Sequence, residues 1–189
     1  MSSHHVVREK QEPALLVLGL DNFSDEMLGQ LLEWSPTVIA TPRTAEKLAA
    51  SGIKLDYIIG KTDVAIVQSD INHIDQVDDT ATRTALIFLT DNGYPSVNII
   101  TDDVYLDAYE PFLNLINLVI FYRHEKIYAV NPGFSKWQPA EAVIKILSRV
   151  TNLQFTGLQS IDHRRFVTTD DGFFTLWFDN QFIFVAEEV

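Results

Sequence analysis

The chain of 189 residues contains no cysteine, which excludes a disulfide framework and a thiolate metal site and favours the cytoplasm. Basic residues are few: 14 Lys and Arg stand against 26 Asp and Glu, a formal net charge of −12. Because such a field repels nucleic acids and anionic membranes, we expect neither as a partner. No apolar run reaches the roughly 18 residues of a membrane span. Residues 1–12 also lack the apolar core of a signal peptide.

The apolar residues that are present, 47% of the chain, are enough for a sizeable core and follow recognisable patterns. Short apolar runs predict strands at residues 15–20, 36–41, 57–60 and 96–101. Between them, capping residues and amphipathic spacing predict helices at residues 24–32, 44–50, 79–89 and, beginning at Pro111, 111–118. This alternation indicates the α/β class, with a largely parallel sheet and flanking helices.

The pattern changes from about residue 119. Short β-type runs follow one another there, separated by turn signals such as Asn131-Pro132-Gly133 and Asp171-Gly172. Several of these runs alternate between apolar and polar residues, which is typical of strands with one buried face. We therefore predict a carboxyl-terminal antiparallel β-sandwich and two domains, residues 1–118 and 119–189, without a Pro- or Ser-rich linker between them.

The third predicted strand ends in a polar turn, Gly60-Lys61-Thr62-Asp63. Ligand sites in open α/β sheets collect at the carboxyl ends of the strands, so this turn is a candidate site. Gly60-Lys61-Thr62 could close a phosphate-binding loop, but that motif requires a glycine five residues before Gly60, where this chain has Leu55. The alternative is a strand-end carboxylate motif in which Lys61 has replaced an acid.

Four segments support the alternative: Gly60-Lys61-Thr62-Asp63-Val64, Asp78-Asp79-Thr80-Ala81, Phe112-Leu113-Asn114-Leu115 and Gly157-Leu158. In this order and spacing they resemble segments of the thiamin pyrophosphokinase family. Its members have a strand ending in Gly-Asp-x-Asp-Ser, then Asp-Lys-Thr-Asp, Leu-x-Asn and a Gly-Leu pair. The resemblance extends from about Leu15 to Val185.

The resemblance implies a nucleotide-binding-like domain at residues 1–118 and a thiamin-binding-like domain at residues 119–189. It also implies a homodimer with thiamin at the subunit boundary. The family transfers a pyrophosphoryl group from ATP to the hydroxyl of thiamin. Such a transfer is helped by positioning and by Mg²⁺, which prefers hard carboxylate oxygens.

The chain departs from the family pattern at the acids. Lys61 replaces the first Asp of Gly-Asp-x-Asp-Ser, and Ala81 replaces the last Asp of Asp-Lys-Thr-Asp. Pro42-Arg43-Thr44 stands in place of an Asp-Gly-Gly turn, and Asp107-Ala108-Tyr109-Glu110 in place of Arg-x-Asp-His. Four altered segments are difficult to reconcile with unchanged chemistry.

The carboxylates that remain, Asp63 and Asp78, are the candidate catalytic residues and Mg²⁺ ligands, and Lys61, Arg43 and Thr80 are candidate phosphate-binding residues. Each has a structural alternative. Asp63 and Asp78 could end a strand and cap a helix, and Lys61 and Arg43 could be solvated surface charges. Asp102-Asp103 is interpreted as a turn rather than a metal site.

Two functional hypotheses follow. One is a non-catalytic or altered homodimer that binds a small thiamin-like or nucleotide ligand, its cations holding anionic groups without metal. The other is a divergent, active thiamin pyrophosphokinase that uses Mg²⁺ and ATP; these cofactors are expected only in that case. The missing acids favour the first hypothesis, because function follows from the site and not from the fold.

Overall fold

The computed structural model describes residues 12–61 and 68–189. Contacts divide the chain into two compact units, Met1–Leu118 and Val119–Val189. Each unit has its own buried apolar side chains, such as Leu16 and Ile99 in the first and Phe174 and Ile183 in the second. None of the described helices is long and apolar enough to span a membrane.

The described strands of the first unit form a parallel sheet in the order β5-β1-β2-β3-β4. They are β1 (Ala14–Val17), β2 (Val38–Ala40), β3 (Tyr57–Ile59), β4 (Asn72–Ile74) and β5 (Ser96–Ile100). Strand β1 lies between β2 and β5, with Leu16 opposite Ile39 and Ile99. All four residues of β1 are buried, which explains its continuous apolar sequence.

The described helices of this unit are α1 (Asp25–Leu32), α2 (Pro42–Ala50) and α3 (Ala81–Asp91). Their amino ends are capped by Ser24, Thr41 and Thr80, whose hydroxyl oxygens accept hydrogen bonds from backbone N–H groups of the first turn. The predicted parallel sheet with flanking helices is confirmed.

Two helix predictions need correction. Helix α2 begins at Pro42, before the predicted Thr44, because Thr41 and Thr44 form a reciprocal cap and Pro42 suits the first helical position. The helix predicted from Pro111 is wrong. The chain makes two short 3-10 turns, Leu106–Ala108 and Glu110–Phe112, and then enters a strand at Asn117. Burial in that strand overrides the helical spacing of the local sequence.

The second unit is antiparallel, as predicted. Its larger set of strands follows the order β11-β12-β9-β14-β7-β6, and a smaller sheet follows the order β10-β13-β8. The strands are β6 (Asn117–Tyr122), β7 (Glu125–Val130), β8 (Phe134–Gln138), β9 (Val143–Ile146), β10 (Gln154–Thr156), β11 (Leu158–Ser160), β12 (Arg165–Thr168), β13 (Gly172–Trp177) and β14 (Ile183–Glu188).

The two sets of strands share one core. Phe174 and Leu176 of the smaller sheet are buried in the same cluster as Ile144 and Val185 of the larger one. The core also contains a buried carboxylate, Glu187, which accepts hydrogen bonds of 2.5 Å from Lys136 Nζ and from the Tyr128 hydroxyl. Burial, together with the neighbouring carboxylate, raises the pKa of Tyr128 and keeps its phenol protonated.

Candidate functional site

The carboxyl ends of β1 to β5 lie on one side of the parallel sheet, which we call the strand-end edge. It comprises the described residues that follow each strand: 18–22, 41–44, 60–61, 75–80 and 101–103. Parallel pairing brings these segments to the same side, because every strand runs in the same direction. Open α/β sheets bind their ligands at this side, so the strand-end edge is the candidate site.

Asp21, after β1, binds two cations of helix α2. Its Oδ2 accepts a hydrogen bond of 2.6 Å from Arg43 Nη2, and its Oδ1 accepts one from Lys47 Nζ. Arg43 and Lys47 are four residues apart, so they project from the same face of the helix. The hydrogen bond from Lys47, followed by the charges of both cations, holds the pKa of Asp21 below its usual value.

The loop that carries Asp21 is fixed by Asp102, after β5. The Asp102 carboxylate accepts hydrogen bonds of 3.0 and 3.1 Å from the Asp21 N–H and one of 3.2 Å from the Asn22 N–H. Close packing leaves no room for a side chain at Gly19, where a Cβ atom would lie 2.6 Å from the Asp102 backbone nitrogen. Asp102 is therefore a structural residue in a bend, which fits the sequence interpretation of Asp102-Asp103.

Lys61 follows β3 on the same edge. Gly60 precedes it with a φ of +82°, a conformation that favours glycine, and donates a hydrogen bond of 2.8 Å to the Ile74 carbonyl. The Lys61 side chain is exposed and forms no ion pair with any described residue. Asp63, the other predicted residue of this turn, lies outside the described residues.

Asp78 lies near this strand end but has a cationic partner of its own. The Gln76 amide oxygen lies 3.6 Å from the position of a Cβ atom on Gly60, and Gln76 Nε2 donates to the Asp78 carbonyl at 3.1 Å. Asp78 Oδ2 accepts a hydrogen bond of 2.8 Å from Arg83 Nε, in the first turn of α3. Asp78 does not cap this helix, as its structural alternative supposed, because the N-cap is Thr80; Asp78 pairs with Arg83 beside the cap.

Thr80 caps the same helix. Its hydroxyl oxygen accepts a hydrogen bond of 3.2 Å from the Arg83 N–H, so it satisfies a backbone donor that the helix itself leaves unpaired. Arg83 is thus bound twice, by Thr80 through its backbone and by Asp78 through its side chain.

The described residues of the strand-end edge do not fit Mg²⁺. No group of three His, Asp or Glu side chains is placed to share an ion anywhere in the described ranges. Asp21 and Asp78 are both paired with cations, and Lys61 adds a positive charge at the position where the resembled family has an acid. The described edge carries two cations, Arg43 and Lys61, among six aspartates, and these two side chains are suited to phosphate or carboxylate oxygens.

Sequence reasoning located part of this site. Arg43 and Lys61 do lie on one edge, after the neighbouring strands β2 and β3. Lys47 was not predicted, because its spacing of four residues from Arg43 puts both on one helix only when α2 begins at Pro42 and not at the predicted Thr44. Asp21 was not predicted either, because its pairing with Arg43 depends on a loop held by Asp102 and has no signal in the local sequence.

A second candidate surface lies on the smaller sheet of the second unit. Trp137, Phe173 and Trp177 are 52%, 67% and 44% exposed and form what we call the aromatic face. Phe173 pairs with Trp137, and the alternate residues Phe174 and Leu176 point into the core. The other residues of the aromatic side are uncharged: Ser135, Gln154, Thr156 and Thr175. Beside Trp177 an open groove of about 800 Å³ is lined by Asn152, Gln154 and Asp179 among others.

The fold defined by these units is a parallel α/β sheet followed by antiparallel β-strands in two sets. It is a thiamin pyrophosphokinase-like fold, with the sequence divergence expected from the altered motifs. A thiamin pyrophosphokinase structure from Geobacillus thermodenitrificans matches 93% of this chain and 97% of its own length at a TM-score of 0.69 and 12% identity. The yeast thiamin pyrophosphokinase matches 96% and 87% at 0.68 and 10%.

The thiamine pyrophosphokinase structure from Bacillus subtilis likewise matches 94% of this chain and 99% of its own at a TM-score of 0.63 and 14% identity. No protein-family model matches the sequence, and no curated protein matches it closely enough to count as a relative. Identities this low establish the fold alone, so the activity has to be argued from the residues of the site.

Proposed function

We propose that this protein is a non-catalytic or altered thiamin pyrophosphokinase-like protein that binds a small anionic ligand at the strand-end edge without metal. The observation that carries the proposal is the reversal of charge. Lys61 stands where the resembled family has an acid, Arg43 lies in the turn that replaces its Asp-Gly-Gly, and the surviving Asp78 is engaged by Arg83. Guanidinium and ammonium groups bind phosphate oxygens directly, so such an edge has no need of a bridging cation.

The ligand class follows from the same charges. Two of the three predicted phosphate-binding residues, Arg43 and Lys61, are cations of this edge. The third, Thr80, accepts a hydrogen bond as the cap of a helix. A nucleotide such as ATP, or another phosphorylated small molecule, presents several anionic oxygens to such groups. Nucleic acid does not fit, because a chain with a net charge of −12 repels an extended polyanion.

The second unit is proposed to bind the heteroaromatic part of the ligand and to form the homodimer. We infer that its two sets of strands form a β-sandwich around their shared core and act as the thiamin-binding-like domain. The groove beside Trp177 combines an aromatic wall with amide and carboxylate groups, which suits a heteroaromatic ring. The aromatic face is the proposed contact between two copies in a homodimer, because it carries large apolar side chains and no charge.

The test of the proposed function is calorimetric titration with ATP, with and without Mg²⁺. We expect binding that changes little when Mg²⁺ is removed, because cations of the protein take the neutralising role. Lys61→Ala should weaken the binding about tenfold through the loss of one charge-assisted contact. The control is Lys54→Ala, another exposed lysine, which lies before β3, at the opposite side of the sheet, and pairs with Asp56.

Two other results of these titrations would contradict the proposed function. Strong binding of ATP that requires Mg²⁺, together with release of AMP when thiamin is added, would establish the active-enzyme alternative. Equal weakening by Lys61→Ala and Lys54→Ala would indicate a general effect of net charge and remove Lys61 from the site.

A further inference from the structure

Arg43 of the strand-end edge and Lys47, one turn further along α2, already hold an anionic group, and that group belongs to the protein. Each oxygen of the Asp21 carboxylate binds one of them: Oδ2 binds Arg43 at 2.6 Å and Oδ1 binds Lys47. A phosphate group would use the same donors in the same way, since Arg and Lys bind carboxylate and phosphate oxygens alike. Asp21 therefore occupies the position that an anionic ligand would take between these cations.

The ion pairs between the Asp21 carboxylate and its two cations are weak enough for a ligand to break. The side chains of Asp21, Lys47 and Arg43 are 41%, 45% and 75% exposed, and exposed ion pairs contribute little to stability. The backbone of Asp21 is fixed separately, through the hydrogen bonds from its N–H to Asp102. The carboxylate can thus rotate away from Arg43 and Lys47 while the loop keeps its place.

We propose that Asp21 is an internal competitor for the anion site formed by Arg43 and Lys47, so that a ligand binds there only by displacing its carboxylate. The inference rests on the proposed function, which makes this edge an anion site, and adds Lys47 as a ligand-binding residue and Asp21 as a selectivity device. A ligand with a single negative charge gains no electrostatic energy by replacing the carboxylate of Asp21. A ligand with several charges, such as pyrophosphate or a nucleoside polyphosphate, interacts more strongly with both cations and displaces Asp21.

The experiment is titration of inorganic pyrophosphate, at low ionic strength and without Mg²⁺, into the native protein and the variant Asp21→Asn. The variant removes the charge, keeps the size of the side chain and leaves the backbone bonds to Asp102 in place. We expect pyrophosphate to bind about fivefold to tenfold more tightly, the effect of removing one charge roughly 4 Å away in a water-like dielectric.

The matched control is Asp25→Asn, which makes the same charge change at an exposed residue in the first turn of α1. No described contact joins Asp25 to Arg43 or Lys47, so we expect an effect below about twofold, because the Coulomb energy of exposed charges in water falls with their separation. A double variant, Asp21→Asn with Lys47→Met, should lose the gain. Circular dichroism and thermal unfolding of each variant check that the fold is retained.

The outcomes separate this inference from the proposed function. If the native protein binds pyrophosphate and Asp21→Asn binds it equally, the competitor role is wrong and the anion site stands. If only Asp21→Asn binds, the competitor role holds and ligand binding by the native protein is refuted. If neither binds, both proposals fail. Carbon-13 titration of the Asp21 carboxyl adds an independent readout: pyrophosphate should raise its lowered pKa, because the ligand takes its cationic partners.

Discussion

Tyr109 shows how a position of the resembled active site has become part of the core. It falls where the family has the acid of Arg-x-Asp-His, and here its side chain is 2% exposed. Burial raises the pKa of the Tyr109 phenol to about 12, so the group is uncharged at neutral pH. A buried neutral phenol supplies neither a metal ligand nor a base, and the role of Tyr109 is one of packing.

This burial predicts a pH dependence of stability. The folded protein holds the Tyr109 proton above the usual pKa of 10.0, and the unfolded chain does not, so the stabilisation is complete below pH 10.0 and is lost as the pH rises toward about 12. Between about pH 9 and about pH 11, Tyr109→Phe should lose about 1 kcal/mol less of its free energy of unfolding than the native protein. Urea unfolding at both pH values measures this difference. Equal losses in the two proteins would contradict it.

At the scale of elements, Gly157 fixes the approach of one strand to another. It joins β10 to β11 with a φ of +71°, and a Cβ atom there would lie 2.7 Å from the Phe173 carbonyl oxygen and 3.1 Å from Phe174 Cα. Both neighbours are backbone atoms of β13, which cannot move without disturbing the smaller sheet. The glycine of the Gly-Leu pair is thus a packing requirement.

We expect Gly157→Ala to lower the free energy of unfolding by about 3 kcal/mol, through the left-handed backbone and the collision with β13. The control is Gly172→Ala, at a glycine whose added Cβ atom would meet nothing within 4 Å and whose φ is not positive. Denaturant unfolding of the two variants should differ by most of the predicted amount. A similar cost at both glycines would mean that the close approach to Phe173 is relieved.

A strand whose burial is continuous could be predicted directly from the sequence. Strand β1 is buried along its whole length, and its apolar run indicated it directly. Strand β4 was missed, because it is an edge strand of Asn72, His73 and Ile74 in which only Ile74 is buried. Its existence depends on pairing with β3, and local propensity carries no information about that pairing.

The candidate site could also be predicted only in part. Alternating strands and helices place Arg43 and Lys61 on one edge, and the structure has them there. The sequence could not show that Arg43 is bound to Asp21, since that contact needs the loop after β1 to be held by Asp102. Contacts between loops of different strands arise only when the sheet has formed.

At the scale of the whole molecule, the aromatic face is the surface at which we expect two copies of the chain to associate. Three Phe side chains of the second unit, Phe174, Phe178 and Phe184, are buried and unavailable to a partner. Trp137, Phe173 and Trp177 are exposed, on a side of the smaller sheet without charged residues. In a chain with a net charge of −12, such a face is where two copies can meet with least repulsion.

We therefore expect a homodimer that depends on the aromatic face. Light scattering at micromolar concentration should give twice the chain mass of 21.5 kDa for the native protein and the chain mass for Phe173→Ser. The control is Trp34→Ser, which removes an aromatic side chain that is 72% exposed in the first unit. A native protein that is already monomeric would contradict the dimer, and dissociation by both variants would place the contact elsewhere.

The pairing of Asp21 with Arg43 also constrains the order in which mutations could restore an acid after β2. Placing that acid at Arg43 would set a new carboxylate beside Asp21 while removing one of its two cations. The intermediate sequence would carry two like charges in close contact, which costs stability. If Asp21 is changed first, the repulsion does not arise, so this contact favours one order of substitutions over the other.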